Sequence, residues 1–201
     1  MRYKKSEISS AQIVQAALRV LARKGYARTS LMDIAREAQM SKGAVHYHFP
    51  SKEALIHVVL QTACDAVAQR TIMAWGTGGN PLESLRSSLF ELWRARAERT
   101  DEALVVADLL AQSQYDEMLR PKLAEYYRYA AAQVHEHVMK HLVAVGLKPK
   151  VPPEVLPRIL IGLLDGLVMQ VFVEPDVLAA EDVVTAIETI AAALFEVQPA
   201  A

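Results

Sequence analysis

The chain has 201 residues, 52% hydrophobic and 22% charged, with a net charge of −1. That is the composition of a soluble globular protein large enough for one or two compact domains. Cys64 is the only cysteine, so an intramolecular disulfide is excluded and a reducing compartment fits. Glycine is sparse and Ala, Leu and Val dominate, which favours helices over a sandwich or barrel.

From the N-terminus, MRYKKSE lacks the apolar core of a signal peptide. Ser9, Ser10, Ala11 and Gln12 have capping-box spacing, and Ile13, Val14, Ala17, Leu18 and Leu21 follow as a helical stripe that Gly25 stops. A second, shorter helix starts near Thr29 or Ser30, with Asp33 placed to complete its cap and Leu31, Ile34, Ala35 and Ala38 as its buried face. Gln39, Met40 and Ser41 make a turn, and Ser41 caps a third helix, Lys42 to His48, that Pro50 ends. Ser51 caps a long fourth helix from Lys52 to about Ala74, which reaches roughly 35 Å at 1.5 Å per residue. The run from Gly76 to Pro81 is a loop. Further helices are predicted over about 82–99, 102–114, 118–145, 153–173 and 182–197, with 146–153 as a linker. No segment alternates convincingly enough for a strand. The apolar stretch from Ile159 to Val173 is interrupted by Asp165 and Gln170, which makes it too short and too polar to span a bilayer, so a buried helix is the better reading.

Charge is unevenly distributed. Met1 to Glu53 carries 10 basic and 4 acidic residues, and the rest of the chain carries 12 and 19. A basic head on an acidic body suggests that only the head meets a polyanion. Two short helices joined by a tight turn after a longer helix have the layout of a helix-turn-helix, whose last helix enters the major groove. In that role Lys42 reaches a guanine edge or a phosphate, while Gly43 and Ala44 let the backbone approach the bases. Tyr47, His48 and Lys52 bring polar tips to phosphate distance, and Ser41 and Thr29 sit at helix N-termini that suit phosphates.

The residues from Tyr26 to Leu55 closely resemble the tetracycline-repressor (TetR) family. The run Ile34-Ala35 with Ala38, then Ser41-Lys42-Gly43, Tyr47-His48-Phe49 and Ser51-Lys52-Glu53-Ala54-Leu55 match in order and spacing. Gly162 to Gln170 is similar, more loosely, to the penultimate helix of many members. Two departures stand out. Gln39 stands where the family usually has glycine; either a left-handed residue there costs roughly 1 kcal/mol or the turn is built differently. His46 replaces the first of an aromatic pair that often precedes the histidine, which leaves its contact with phosphate or base to be determined.

The resemblance implies an all-α fold: a three-helix DNA-binding domain over 1–51 and a helical bundle for ligand binding and dimerisation over 52–201. It implies a cytoplasmic homodimer, a repressor of palindromic double-stranded DNA operators that a small effector releases by moving the fourth helix. Trp93, Tyr115, Tyr127 and Met169 are candidates to line an apolar effector pocket. Gly162 and Gly166, four apart, permit close helix approach and with Ile187 and Leu194 suit a four-helix dimer seam. The main alternative is a helical enzyme or metal protein using His135, His137 and His141; a DNA binder without an effector is another. No catalytic spacing, cofactor motif or metal signature supports an enzyme.

Overall fold

The computed structural model describes residues 2–144 and 146–197. The helices are α1 (Arg2–Lys24), α2 (Leu31–Glu37), α3 (Lys42–His48), α4 (Lys52–Trp75), α5 (Pro81–Ala97), α6 (Asp101–Gln112), α7 (Arg120–Val134), α8 (Lys140–Ala144), α9 (Leu156–Val173) and α10 (Ala180–Leu194). The fold is the all-α architecture read from the sequence. Three details differ. α1 begins at Arg2, so Ser9 and Gln12 lie inside the helix and cap nothing at its start; Gln12 instead donates from Nε2 to Ala38 O at 2.9 Å. The long helix expected over 118–145 is broken by a π-helical turn, His135–Met139, between α7 and α8. A two-stranded antiparallel ribbon pairs β1 (Leu147–Pro149) with β2 (Phe195–Val197), where the sequence alternates too briefly to be read.

The chain forms two compact units, 1–63 with 100–126 and 64–99 with 127–201. The expected head, 1–51, lies wholly within the first unit. The first core joins Ile13, Leu18, Leu21, Ile34, Val45, Leu55 and Leu60 to Val105, Leu109, Leu119 and Leu123, so α6 and the start of α7 pack with the head. In the second unit α5 packs against α9 and α10. Leu160, Ile161, Leu164 and Val168 are buried on α9, and Val183, Val184 and Ile187 on α10. Alone among the described helices, α9 is long and apolar enough to cross a membrane by composition, with a mean hydropathy of 1.7. Its Asp165 is ion-paired to Arg96 of α5 at 3.1 Å, as in the core helix of a bundle.

The two corners around α2 close differently. α1 ends at Gly25, φ +74°, whose N–H donates to Leu21 O at 2.7 Å. This is the simple left-handed stop, which leaves the next N–H without a helical acceptor. α2 starts with a full capping box: Ser30 Oγ accepts from Asp33 N and the Asp33 carboxylate accepts from Ser30 N. α2 ends in a Schellman motif, with Met40 N donating to Ala35 O at 2.9 Å and Gln39 N to Arg36 O at 3.1 Å. Gln39 holds φ +56°, so the turn keeps the left-handed geometry in which the family usually places glycine. Arg19 and Arg23 of α1 pair with Glu37, and Lys24 with Asp33. Hydrogen bonds from Arg23 and Arg19 hold the Glu37 carboxyl at about 2, below its ordinary 4.5. At such exposure the pairs orient α2 more than they stabilise it.

Gln39→Gly removes a left-handed strain of about 1 kcal/mol, less what glycine's extra freedom in the unfolded chain returns. The expected result is a midpoint raised by about 1–3 °C in thermal unfolding followed by circular dichroism. A lowered midpoint would show that the Gln39 side chain does something the turn requires.

Candidate nucleic-acid interface

α3 has only seven residues, too few to be stable alone, so packing must hold it. Val45 is fully buried and Phe49, just past its end, nearly so; both belong to the core that includes Leu21, Ile34 and Leu55. Ser41 caps the helix, its Oγ accepting from Ala44 N at 3.1 Å. With one side anchored, the other projects. Ser41, Lys42, Gly43, His46 and Tyr47 are exposed, Tyr47 at 81%, while Ala44 and His48 are half-buried. The Tyr47 and His48 rings meet edge to face at 5.3 Å, which limits where the phenol points.

Two features of this face are chemically informative. A Cβ added to Gly43 would approach only Ser41 Oγ, at 3.9 Å, so nothing inside the protein requires glycine there. Its smallness serves whatever approaches from outside. Among the described residues Lys42 has no carboxylate partner, whereas Arg19, Arg23 and Lys24 of α1 are all matched by acids of α2. Lys42 thus presents on α3 a charge that no acid of the described residues matches, which suits a polyanion.

Two expected phosphate contacts are corrected. Thr29 is 4% exposed and its Oγ1 donates to Gly25 O at 2.8 Å, closing the α1–α2 corner; Ser30, one residue later, is the cap. Lys52 is turned inward. Its Nζ donates to Tyr26 O and sits 3.6 Å above the Tyr26 ring. Burial pushes this ammonium below its ordinary value, and Glu53, Asp116 and Asp108 partly offset that. Tyr26 is itself buried, and desolvation together with Asp116 and Glu53 raises its phenol to about 12. The importance of Tyr26 is not legible from residue types, because its partners lie on helices distant in sequence.

The four expected effector residues are divided between the two units. Tyr115 is 87% exposed in the first unit, while Trp93, Tyr127 and Met169 belong to the second. There Trp93 is buried, Met169 is half-exposed, and Tyr127 Oη donates to Asp165 Oδ2 at 3.1 Å. Sequence could not show which face of each helix turns inward. The second unit does hold an open groove of about 650 Å³ near the end of α4, lined by Met73, Phe90 and Arg70, Arg86 and Arg94. Each of these arginines is already paired with glutamates. Of the expected dimer residues, Gly162 and Gly166 face open space. Ile187 is buried within its own chain, and the half-buried Leu194 lines with it a partly open apolar pocket of about 40 Å³ that Leu163 and Ile190 also border. Ile187 is therefore covered within its own chain, whereas Leu194 keeps part of its surface exposed. Among the described residues no three His, Cys, Asp or Glu side chains gather as a metal site would need. The side chains of His137 and His141 lie outside those described.

Residues 13–59 match the family described as bacterial regulatory proteins, tetR family, and residues 81–196 match the BetI-type transcriptional repressor C-terminal family. The transcriptional regulator BetI of Rhizobium meliloti is 24% identical over 87% of this chain and 86% of its own length. The nicotine-responsive repressor HdnoR of Paenarthrobacter nicotinovorans is 27% identical over 82% and 84%. The regulator YuxN of Bacillus subtilis is 37% identical over 44% of this chain, and the match spans only 31% of that protein. A TetR-family regulator from a Rhodococcus species superposes with a TM-score of 0.80 at 20% identity, covering 94% of this chain and 98% of that one. At that identity the likeness speaks for the fold alone. A helix-turn-helix head joined to a helical bundle of this kind defines a DNA-binding transcriptional regulator. The chain belongs to the TetR family, with a C-terminal region of the BetI type.

The inward turn of Lys52 changes what its removal does. Lys52→Met costs the fold about 1–2 kcal/mol, from a hydrogen bond and a cation–π contact, and leaves the salt dependence of DNA binding unchanged. Lys42→Met leaves stability within about 0.5 kcal/mol and lowers the salt slope by about one unit. Denaturant melts and anisotropy titrations from 50 to 200 mM salt (about the range over which phosphate contacts register) separate the two. A lowered slope for Lys52→Met would return that residue to the phosphate backbone.

Proposed function

We propose that the protein is a cytoplasmic homodimeric repressor that sets α3 of each subunit in the major groove of a palindromic operator and lets go when a small molecule occupies the C-terminal bundle. The observation that carries this reading is the division of α3 into a buried side, Val45 and Phe49, and an exposed row with an unpaired lysine and a dispensable glycine. Lys42 and Ala44 read base edges, Gly43 lets the backbone close on the groove, and Ser41, His46, Tyr47 and His48 contact phosphates. The relatives support a regulator, and one of them is named for its response to a small molecule.

A dimer is needed because one seven-residue helix reads too few base pairs for useful specificity. Gly162 and Gly166 on α9 face open space, and Ala186, Thr189 and Ala193 on α10 are exposed, so both helices offer small residues outward. Small outward residues allow two helix pairs to approach closely. The effector binds in the bundle around Trp93 and Tyr127, and α4 runs from Lys52 in the first unit to Trp75 in the second as a lever. An effector acts only through its different affinities for the DNA-bound and free shapes, typically 5–150-fold in operator affinity.

Selection from a random duplex library with the purified protein tests the central reading. The expected outcome is enrichment of one palindrome whose half-sites lie about 34 Å apart along the helix. Enrichment of no sequence at physiological salt would refute it.

Gly166→Leu tests the seam separately. Light scattering should show the dimer dissociating, and operator affinity should fall with it, while a dimer that survives the leucine would place the interface on another face.

A further inference from the structure

The α1–α2 corner carries an unusual hydrogen bond. Because α1 stops with the simple left-handed motif at Gly25, the N–H of Tyr26 has no acceptor in its own helix. It donates to Asp108 Oδ2 of α6, 82 residues away, at 2.6 Å. The carboxylate also lies 3.4 Å from where a Gly25 Cβ would be, so α6 is seated directly against the corner. A carboxylate at the C-terminal end of a helix opposes the helix dipole, and a cation or a neutral acceptor would be more stable there. The same residue is held from the other side by α4, through Lys52 Nζ on Tyr26 O and over its ring. α2 and α3 follow Tyr26 in the chain, so the setting of this one peptide unit governs how they leave α1.

We infer that Asp108 is a positioning residue for DNA recognition: by accepting the Tyr26 N–H it lets α6, alongside α4, set the orientation in which α2 and α3 are presented. The inference rests on the DNA-binding reading and adds a second arm to it. α6 packs into the head's core through Val105 and Leu109, and the charge-assisted hydrogen bond from the Tyr26 N–H ties it directly to the corner. Lys52 and Asp108 act on opposite ends of the same residue, one on its carbonyl and one on its N–H. Their contributions to recognition are therefore coupled.

The test uses full-length protein, the duplex enriched by the wild-type chain, and a shuffled duplex of the same composition. Asp108→Ala is expected to lower affinity for the enriched duplex about tenfold, the scale of one lost charge-assisted hydrogen bond. Affinity for the shuffled duplex should stay within about twofold, since no phosphate contact is touched. Asp108→Asn keeps an acceptor in place and should restore the preference. Asp108→Glu keeps the charge but displaces the acceptor and should lose much of it, which leaves the comparison intact if the alanine variant folds poorly. Hydrogen exchange at the Tyr26 amide should quicken in the alanine and glutamate variants and not in the asparagine variant. Adding Lys52→Met to Asp108→Ala should cost less than the product of the two single effects. Equal preference in the asparagine and glutamate variants, or parallel loss of both affinities with loss of helical signal, overturns the inference. If the wild-type chain enriches no duplex, the DNA-binding reading itself fails, an outcome distinct from either of these.

Discussion

The DNA-reading half of this protein depends on how one residue, Tyr26, is held. It follows α1 directly, and everything that defines the recognition surface comes after it. Its side chain is buried, its carbonyl and ring are taken by Lys52 from α4, and its N–H is taken by Asp108 from α6. A residue with its backbone and ring all engaged has little freedom to let the following helices swing. Without those contacts the corner would rest on the Gly25 stop, the local bonds of Arg28 and Thr29, and the exposed ion pairs between α1 and α2. The head is thus not an independent three-helix domain that happens to precede a bundle. Its packing is completed by α6, and its orientation is set from outside the contiguous helix-turn-helix.

That dependence explains how a seven-residue helix can be both exposed and ordered. α3 buries Val45 and relies on Phe49 just beyond its end, and these two sit in a core that reaches α1, α4, α6 and the start of α7. Burial of an aromatic and a branched side chain contributes several kcal/mol, against an ordering cost of about 1–2 kcal/mol for each backbone residue fixed. The balance is only favourable because neighbouring helices are already ordered. The outward row can then be chosen for chemistry alone, which is why it holds a glycine and an unpaired lysine that internal packing does not demand.

Local features of the sequence were the legible ones. The helix caps at Ser30 and Ser41 and the stop at Gly25 depend on residues within four positions of one another, and each is found where periodicity and turn chemistry place it; of the two alternatives at Gln39 the turn takes the left-handed one. What failed was long-range. Lys52 reads as a phosphate ligand because it opens a helix next to the motif, yet Tyr26 lies within reach and captures it. Ile187 carries the periodicity of an interface, but α5 packs on its helix and Ile187 is buried within the chain. Tyr115 and Met169 are aromatic and thioether residues at helical spacing whose outward direction no spacing reveals. That α6 packs with the head is likewise visible only in contacts across some eighty residues of chain.

The contrast between the two corners of α2 locates the adjustable joint. At the α2–α3 corner the Schellman motif uses both free N–H groups internally, through Gln39 and Met40, and Met40 packs against the core. That corner is complete in itself, so α2 and α3 move as one body. It even tolerates a left-handed glutamine, a local strain that surrounding structure holds in place. At the α1–α2 corner the simpler stop leaves an N–H that the local chain cannot satisfy, and the acceptor is imported from α6. A buried N–H without a partner costs about 1–3 kcal/mol, so α6 cannot shift without either carrying the corner with it or incurring that cost. One corner is sealed and the other is open to distant influence. This division keeps α2 and α3 rigid as a pair and makes the Tyr26 peptide the point at which α4 and α6 set the orientation of both.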